Sequence, residues 1–317
     1  LGDKQHRSSC SLGATLFGDT AQDAAELLKQ ADIAMYQVKN NGRNAFCFFD
    51  PGMLTAIEAR ARLEVDLRKS LDDQHFELYY QQQVNEEGQV VGAEALVRWH
   101  HLDNGLVLPG QFIGLAEETG LILPMGQWVL EQACTQLAMW QRQPRSRDLQ
   151  LSVNVSARQF RQADFVDRVA RILRATGARA DLLKLELTES LVLDNVEDTI
   201  QKMNALKTLG VRFSMDDFGT GHSSLSYLTR LPLDQLKIDQ SFVRNIGSQS
   251  TDSIIIQTII GMGNNLGLEV LAEGVETEAQ RDFLSAHGCH LKQGFLFGPP
   301  LPAPEFIKAL HAEEISL

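Results

Sequence analysis

Several polar side chains stand at the ends of short apolar runs. Val91-Gly-Ala-Glu94, Leu151-Ser-Val-Asn154, Leu183-Lys-Leu-Glu186, Val211-Arg-Phe-Ser-Met-Asp216 and Leu268–Glu273 each close on an oxygen donor. Asp217 follows Asp216 directly, and Leu236-Lys237-Ile-Asp239 adds a lysine and a further carboxylate. Hard oxygen donors without histidine or cysteine favour Mg²⁺ or Mn²⁺ over Zn²⁺. An adjacent pair such as Asp216-Asp217 suits a two-metal centre, with ions about 3.5–4 Å apart sharing an oxygen. The chemistry of such centres is phosphoester hydrolysis. Lys237 could orient the metal-activated water or neutralise charge on the phosphorane.

These groups act together only if the chain brings them together. β-prone runs recur at Phe76–Val84, Val90–Trp99, Leu149–Val155, Leu182–Thr188, Val211–Met215, Gln235–Ile238, Leu268–Ala272 and near His290–Phe295. Helical candidates separate the later ones: Phe165–Thr176, Val196–Leu209 and Ser253–Leu266. Strands alternating with helices predict parallel βαβ units. The stretch from Glu58 onward is roughly 250 residues, the usual size of a (β/α)8 barrel. Strand alternation sets Glu186 opposite Leu185 and Leu187. An antiparallel sheet with one wet face would alternate in the same way. With helices between the strands, however, the aliphatic face must meet the helices and the polar face must point into the barrel. Carboxylates converging at a barrel mouth repel one another and cannot all stay ionised without cations. The C-terminal strand ends are also where barrels form their active sites.

Composition narrows the partners. The chain has 317 residues, 44% hydrophobic and 22% charged, with a formal net charge of −12. No basic stretch exists to track a nucleic-acid polymer, so that partner is not expected. A small anion can still bind an acidic protein if metal ions supply the positive charge. Cys10, Cys47, Cys134 and Cys289 form no CxxC pair and read as free thiols in a reducing compartment. His100-His101 reads as solvent or loop packing. No run reaches the ~18–20 apolar residues of a membrane span. No membrane contact is expected of this stretch, and no signal peptide is legible. The first residue is Leu1, so the chain reads as a piece of something longer, cytoplasmic here, with a membrane anchor allowed in the parent.

Two short motifs invite other readings. Asp217-Phe218-Gly219 is also the magnesium-binding triplet of protein kinases, but the glycine-rich loop, strand lysine and HRD loop are missing. Gly261-Met-Gly-Asn-Asn-Leu-Gly267 has the wrong spacing for a dinucleotide fingerprint and closes a helix instead of following a strand.

With these residues assembled, the chain resembles the EAL-domain cyclic di-GMP phosphodiesterases. Glu94-Ala-Leu96 matches the signature tripeptide. The match continues through Asn154-Val-Ser156, Glu186-Leu-Thr-Glu-Ser190, Asp216-Asp-Phe-Gly-Thr-Gly221, Leu236-Lys-Ile-Asp239, Ala272-Glu-Gly-Val-Glu-Thr277 and Gln293-Gly-Phe-Leu-Phe-Gly298. The resemblance implies a TIM-like (β/α)8 barrel of the α/β class with one antiparallel strand. It implies hydrolysis of cyclic di-GMP to linear pGpG with two Mg²⁺ or Mn²⁺ ions. Glu94, Asn154, Glu186 and Asp216 would be metal ligands, and Asp217 would serve the second metal. Lys237 would sit at the nucleophilic water, with Glu273 supporting it. Gln81, Leu96, Arg98, Asp239 and Gln293 would line the nucleotide site. Glu189 and Glu276 would anchor the loop after Asp217. Ca²⁺, with bonds of about 2.3–2.6 Å against ~2.0–2.1 Å for Mg²⁺, is expected to bind and inhibit. A homodimer through the barrel is a further expectation.

Residues 1–50 resemble the C-terminal part of a GGDEF (diguanylate cyclase) domain, through Ala31-Asp-Ile-Ala-Met-Tyr-Gln-Val-Lys-Asn-Asn-Gly-Arg-Asn44. The GGDEF signature itself is absent, so this small N-terminal α/β remnant cannot perform cyclase chemistry. Residues 51–75 read as a helical linker and 76–317 as the barrel. Three positions depart from the family pattern, where proline is usual: Gln82, Leu102 and Gly114. They bear on loop rigidity and substrate affinity, not on ligand positions. A receptor that binds cyclic di-GMP without turnover is the main competing reading, but such a protein can lose Glu94 or an Asp of the pair. A different metal hydrolase on the same fold is the third.

Overall fold

The computed structural model describes residues 9–18, 23–40, 44–219, 225–247 and 251–312. The chain divides into two compact units, 1–69 and 70–317. In the first, β1 (Leu12–Ala14) and β2 (Phe46–Phe48) pair in parallel. Parallel partners need a crossover between them, and helix Ala24–Asn40 supplies it. This is the expected small α/β unit. Residues 1–8, 19–22 and 41–43, which belong to that expectation, lie outside the described residues. Helix Pro51–Asp72 then covers most of the expected helical linker, stopping three residues before 75.

The second unit holds β3 (Phe76–Val84), β4 (Val90–His101), β5 (Gly105–Val107), β6 (Gln150–Asn154), β7 (Leu183–Thr188), β8 (Arg212–Phe218), β9 (Gln235–Ile238), β10 (Glu269–Ala272), β11 (Leu291–Gln293) and β12 (Leu301–Pro302). Pairing runs β3-β4-β6-β7-β8-β9-β10-β11 and returns to β3, closing an eight-stranded barrel. Every pair in the ring is parallel except those of β3, which lies antiparallel to both β4 and β11. The short β5 and β12 add on to β4 and β3. Closure leaves the ring without an exposed sheet edge. Each barrel strand lies where the apolar runs predict it; β8 extends to Phe218, three residues beyond the expected Met215.

Helices Phe165–Thr176, Val196–Thr208 and Asp252–Leu266 coincide with the predicted helical segments to within a residue at either end. The last ends because Gly267 adopts the left-handed conformation at φ 70°, its amide bonded to the Gly263 and Asn264 carbonyls. The glycine-rich run therefore does close a helix.

The layering of the barrel follows strand alternation. Leu151, Val153, Leu183, Leu185, Leu187, Phe213, Leu236 and Ile238 are fully buried on the outer face of the sheet, in one apolar cluster with the helices. Full burial of each such side chain stabilises the fold by about 1.5–3 kcal/mol. The inward face is polar below the mouth as well: Ser214 Oγ donates to Gln235 Oε1 at 3.1 Å, and Gln235 Nε2 and Lys184 Nζ both reach Glu269 Oε2. The apolar shell outside the strands thus sustains an interior that carries charge.

His100 and His101 are packed in the β4–β5 hairpin. His100 Nε2 lies 2.8 Å from Glu77 Oε2, and His101 Nδ1 accepts from the Asp103 and Asn104 amides. Leu102 is exposed in the same hairpin. Gly114 sits not in a loop but inside helix Pro109–Thr119, facing open space, so its missing proline bears on a helix and not on loop rigidity. The four cysteines are free thiols, with Cys134 and Cys289 buried. Among the described residues, no helix is long and apolar enough to cross a membrane.

Candidate active site

Lys237 is the centre of the barrel mouth. It points inward from β9, is wholly buried, and its Nζ lies 2.5 Å from Glu186, 2.6 Å from Glu273, 3.1 Å from Asp216 and 3.9 Å from Glu94. The four carboxylates come from β7, the residue after β10, β8 and β4. Register explains the convergence: Asn154 pairs with Glu186, and Thr188 with Asp216, so successive strands raise their donors to nearby levels.

Asp216 and Asp217 pose a geometric problem, since alternation turns neighbouring side chains to opposite faces. The structure resolves it with a bulge. The β8–β9 register shifts between Met215 and Phe218, and Asp217 takes φ +54°. A bulge re-aims side chains, and a short polar residue tolerates the left-handed region better than most. Asp217 thereby keeps its carboxyl near Asp239, with which it shares a hydrogen bond, while its amide donates to Asp216 Oδ1 at 3.0 Å.

A relay of amides supports Glu94. Asn154 Nδ2 donates to Oε1 at 2.6 Å, and Gln293 Nε2 donates to Oε2 at 2.6 Å and to Gln81 Oε1 at 3.1 Å. Gln83 Nε2 donates in turn to Gln293 Oε1 at 2.9 Å, and Gln81 Nε2 to the Gly298 carbonyl at 3.1 Å. These bonds join β3, β4, β6 and β11 across the point where the ring closes.

Above this cluster opens a pocket of about 420 Å³, lined by the expected Gln81, Glu94, Leu96, Asn154, Asp216, Glu273, Glu276 and Gln293. Glu186 and Lys237 lie buried beside it. Arg98 and Asp239 do not line the pocket. The Arg98 guanidinium lies over the Tyr79 ring and bonds the Val97 carbonyl, and Asp239 caps helix Gln240–Val243 by accepting from the Ser241 amide at 3.0 Å. The pocket also takes in Gln240, Arg244, Gly274, Gly294 and Phe295, which the sequence reading does not single out. The signal for Arg244 is present: it lies five residues past Asp239, on the turn that Asp239 caps. Gly294 is required by close approach, since a Cβ there would lie 2.2 Å from the Val275 carbonyl oxygen. Phe295, in the turn that follows, exposes 66% of its surface.

The electrostatics are those of negative charge short of compensation. Burial, together with Glu94 and Asp216, pushes Glu186 up to about 8 against the pull of Lys237. Burial and then Asp216 and Asp239 push Asp217 up to about 6. Glu273 is likewise raised well above the usual carboxylate range, chiefly by burial. For Lys237, burial alone would lower the ammonium, but Asp216, Glu186, Glu273 and Glu94 outweigh it and hold the proton firmly.

The donor set fits a hard divalent cation. Its donors are all oxygens, one ammonium faces four carboxylates, and Glu186 Oε1 is buried without a hydrogen-bond partner among the described residues. A buried carboxylate oxygen in that state needs a proton or a cation. As the side chains stand, no three His, Cys, Asp or Glu residues among those described form a closed metal cage; they surround Lys237 instead.

Glu189 opens helix Glu189–Asp194, directly after β7. Both its carboxylate oxygens are buried and have no hydrogen-bond partner among the described residues, so it does not accept from its own helix. Of the loop it is expected to anchor, Phe218–Ser224, residues 220–224 lie outside the described residues.

Fold and site together define an eight-stranded barrel with one reversed strand and an acidic, lysine-centred pocket at its mouth. The sequence model of the EAL domain matches residues 64–300, and the chain belongs to that family. The model of the diguanylate cyclase, GGDEF domain matches residues 1–45. Among curated relatives, the bifunctional diguanylate cyclase/cyclic di-GMP phosphodiesterase MucR of Pseudomonas aeruginosa is 42% identical over 96% of this chain and 44% of its own length. The cyclic di-GMP phosphodiesterase PdeR of Escherichia coli is 38% identical over 94% of this chain and 45% of its own. The chain therefore spans less than half of either relative. A solved structure described as the PaMucR phosphodiesterase, c-di-GMP complex, is similar with a TM-score of 0.75 at 43% identity, covering 77% of this chain and 99% of that one.

Proposed function

We propose that the barrel hydrolyses cyclic di-GMP to linear pGpG with two divalent cations, Mg²⁺ or Mn²⁺. The observation that carries this reading is Lys237, held by four carboxylates from separate parts of the barrel beneath an open pocket. Among the described residues, the pocket presents Glu94, Asp216, Glu273 and Glu276 against one cation, Arg244. An anionic phosphodiester entering such a surface is repelled unless cations mediate. Glu94, Asn154, Glu186 and Asp216 would hold one cation, and Asp217 would serve the second. Bound there, the cations would supply a more acidic water and neutralise charge on the phosphoryl oxygens.

The chain's own residues do the rest. Lys237, which keeps its proton, faces the charge that accumulates as water attacks phosphorus and the bond to the 3′ oxygen breaks. Asn154 and Gln293 hold the Glu94 carboxylate in a single orientation. The exposed Phe295 ring offers a stacking surface for a guanine, an interaction of about 1–3 kcal/mol per base.

Incubation with cyclic di-GMP, followed by chromatography of the products, tests the proposal. Mg²⁺ or Mn²⁺ should give pGpG, Ca²⁺ little or none, and Glu94→Ala should cut the rate by about 10²-fold or more. Tight binding without product would instead mark a non-hydrolysing receptor.

A further inference from the structure

Gln82 is one of the three positions at which the chain departs from the family pattern, and the catalytic reading makes no use of it. It follows Gln81 on β3, so its side chain leaves the opposite face of the sheet. That face meets the segment between β11 and β12. Both of these strands pair with the same β3, β11 at Gln83 and Val84 and β12 at Tyr79 and Tyr80. Between these two pairings the chain leaves the sheet as residues 294–300, and Phe295 stands at the outer part of this excursion.

The excursion packs Leu296 and Phe297 against the apolar core and adds a few backbone bonds. Phe297 and Gly298 amides turn back to the Gly294 carbonyl, and the Leu296 amide bonds the Val275 carbonyl. Its descending limb is held from β3: the Gln82 amide donates to the Phe297 carbonyl and the Gln81 amide to the Gly298 carbonyl. Gln82 is 8% exposed, so this contact is made away from solvent.

We propose that Gln82 is a positioning residue for the substrate. Its amide fixes the 294–298 turn and thereby holds the Phe295 ring at the pocket rim in the orientation that stacks a purine. The proposal rests on the reading of the pocket as a cyclic di-GMP site.

The test uses Gln82→Met, which keeps the length of the side chain and removes the donor. In ligand-free protein, amide hydrogen exchange at 295–298 should rise several-fold in the variant, while exchange in β7 stays unchanged. With cyclic di-GMP, KM should rise about fivefold to tenfold, the loss of one hydrogen bond, with kcat within twofold. In a Phe295→Ala background, Gln82→Met should add no further increase in KM. Unchanged exchange in the turn, an unchanged KM, or a full additive effect alongside Phe295→Ala would each overturn the proposal. If the wild type neither binds nor hydrolyses cyclic di-GMP, the pocket reading falls, and exchange in the turn still decides whether Gln82 is a clamp.

Discussion

Lys237 and its four carboxylates are a group whose charge does not balance, and the imbalance has a pH signature. Glu186, raised to about 8 from an ordinary 4.5, and Asp217, raised to about 6 from 3.8, bind protons more tightly folded than unfolded. The folded state thus gains from protonation, and stability must fall as pH rises from the unfolded values through 6 and then 8. Thermal melts of cation-free protein from pH 4.5 to 8 should show that decline, and Glu186→Gln should flatten its upper part. Saturating Mg²⁺ should flatten it in the wild type too, and an equally steep fall with and without cation would refute the charge assignment. Much of this centre was legible in the sequence. Asn154, Glu186, Asp216 and Lys237 fall in the last three residues of their strands and Glu94 in the middle of β4, and in each period-two alternation predicts an inward side chain. Asp217 was legible only as Asp216's neighbour, because nothing in the sequence pattern announces the bulge that turns it. Gln240, Arg244 and Phe295 drew no role from strand alternation, because a short helix and a turn, not strands, bring them to the pocket.

At the scale of elements, the strand–helix boundary after β7 offers the sharpest test. Glu189 brings a buried carboxylate to the start of helix Glu189–Asp194 and leaves both oxygens unpaired among the described residues. A buried acceptor left unsatisfied costs about 1–3 kcal/mol, so a partner is expected for this one. We propose that it anchors the loop after Asp217. Glu189→Ala should leave the melting temperature within about 2–4 °C of wild type, or raise it, while turnover falls by about tenfold or more. A variant that melts much earlier yet turns over normally would return Glu189 to a purely structural role. The elements themselves were legible because apolar runs and amphipathic helices alternate so regularly. Their ends were less so: β8 outran its apolar run by crossing the bulge to Phe218. Gly114, which the sequence suggested was in a loop, is helical, since Pro109 at the helix start and Gly120 at its end set the boundaries instead.

For the whole molecule, the division at 69/70 falls inside helix Pro51–Asp72. A chain beginning at Phe49 keeps that helix whole and discards β1, β2 and the helix between them. It should retain the barrel's melting transition and hydrolyse cyclic di-GMP within about threefold of the full chain; a barrel that fails to fold without residues 1–48 would tie the two units together. The reversed strand β3 carries a further consequence, for how the molecule comes into being. Its partners are the next strand and the last of the ring, and its Gln83 meets Gln293, 210 positions later. Such long-range closure is slow, because loop entropy is lost before contacts reward it. On the ribosome, where chains emerge at about 5–20 residues per second, β3 must wait roughly ten seconds or more with one edge unpaired. During that interval every carboxylate except those near the end has already been synthesised, yet Glu94 lacks Gln293 and the pocket lacks a wall. A nascent chain stalled before residue 291 would therefore be an open, sticky sheet without an active site, a natural client for a chaperone, and catalytic competence would arrive only once β11 is made.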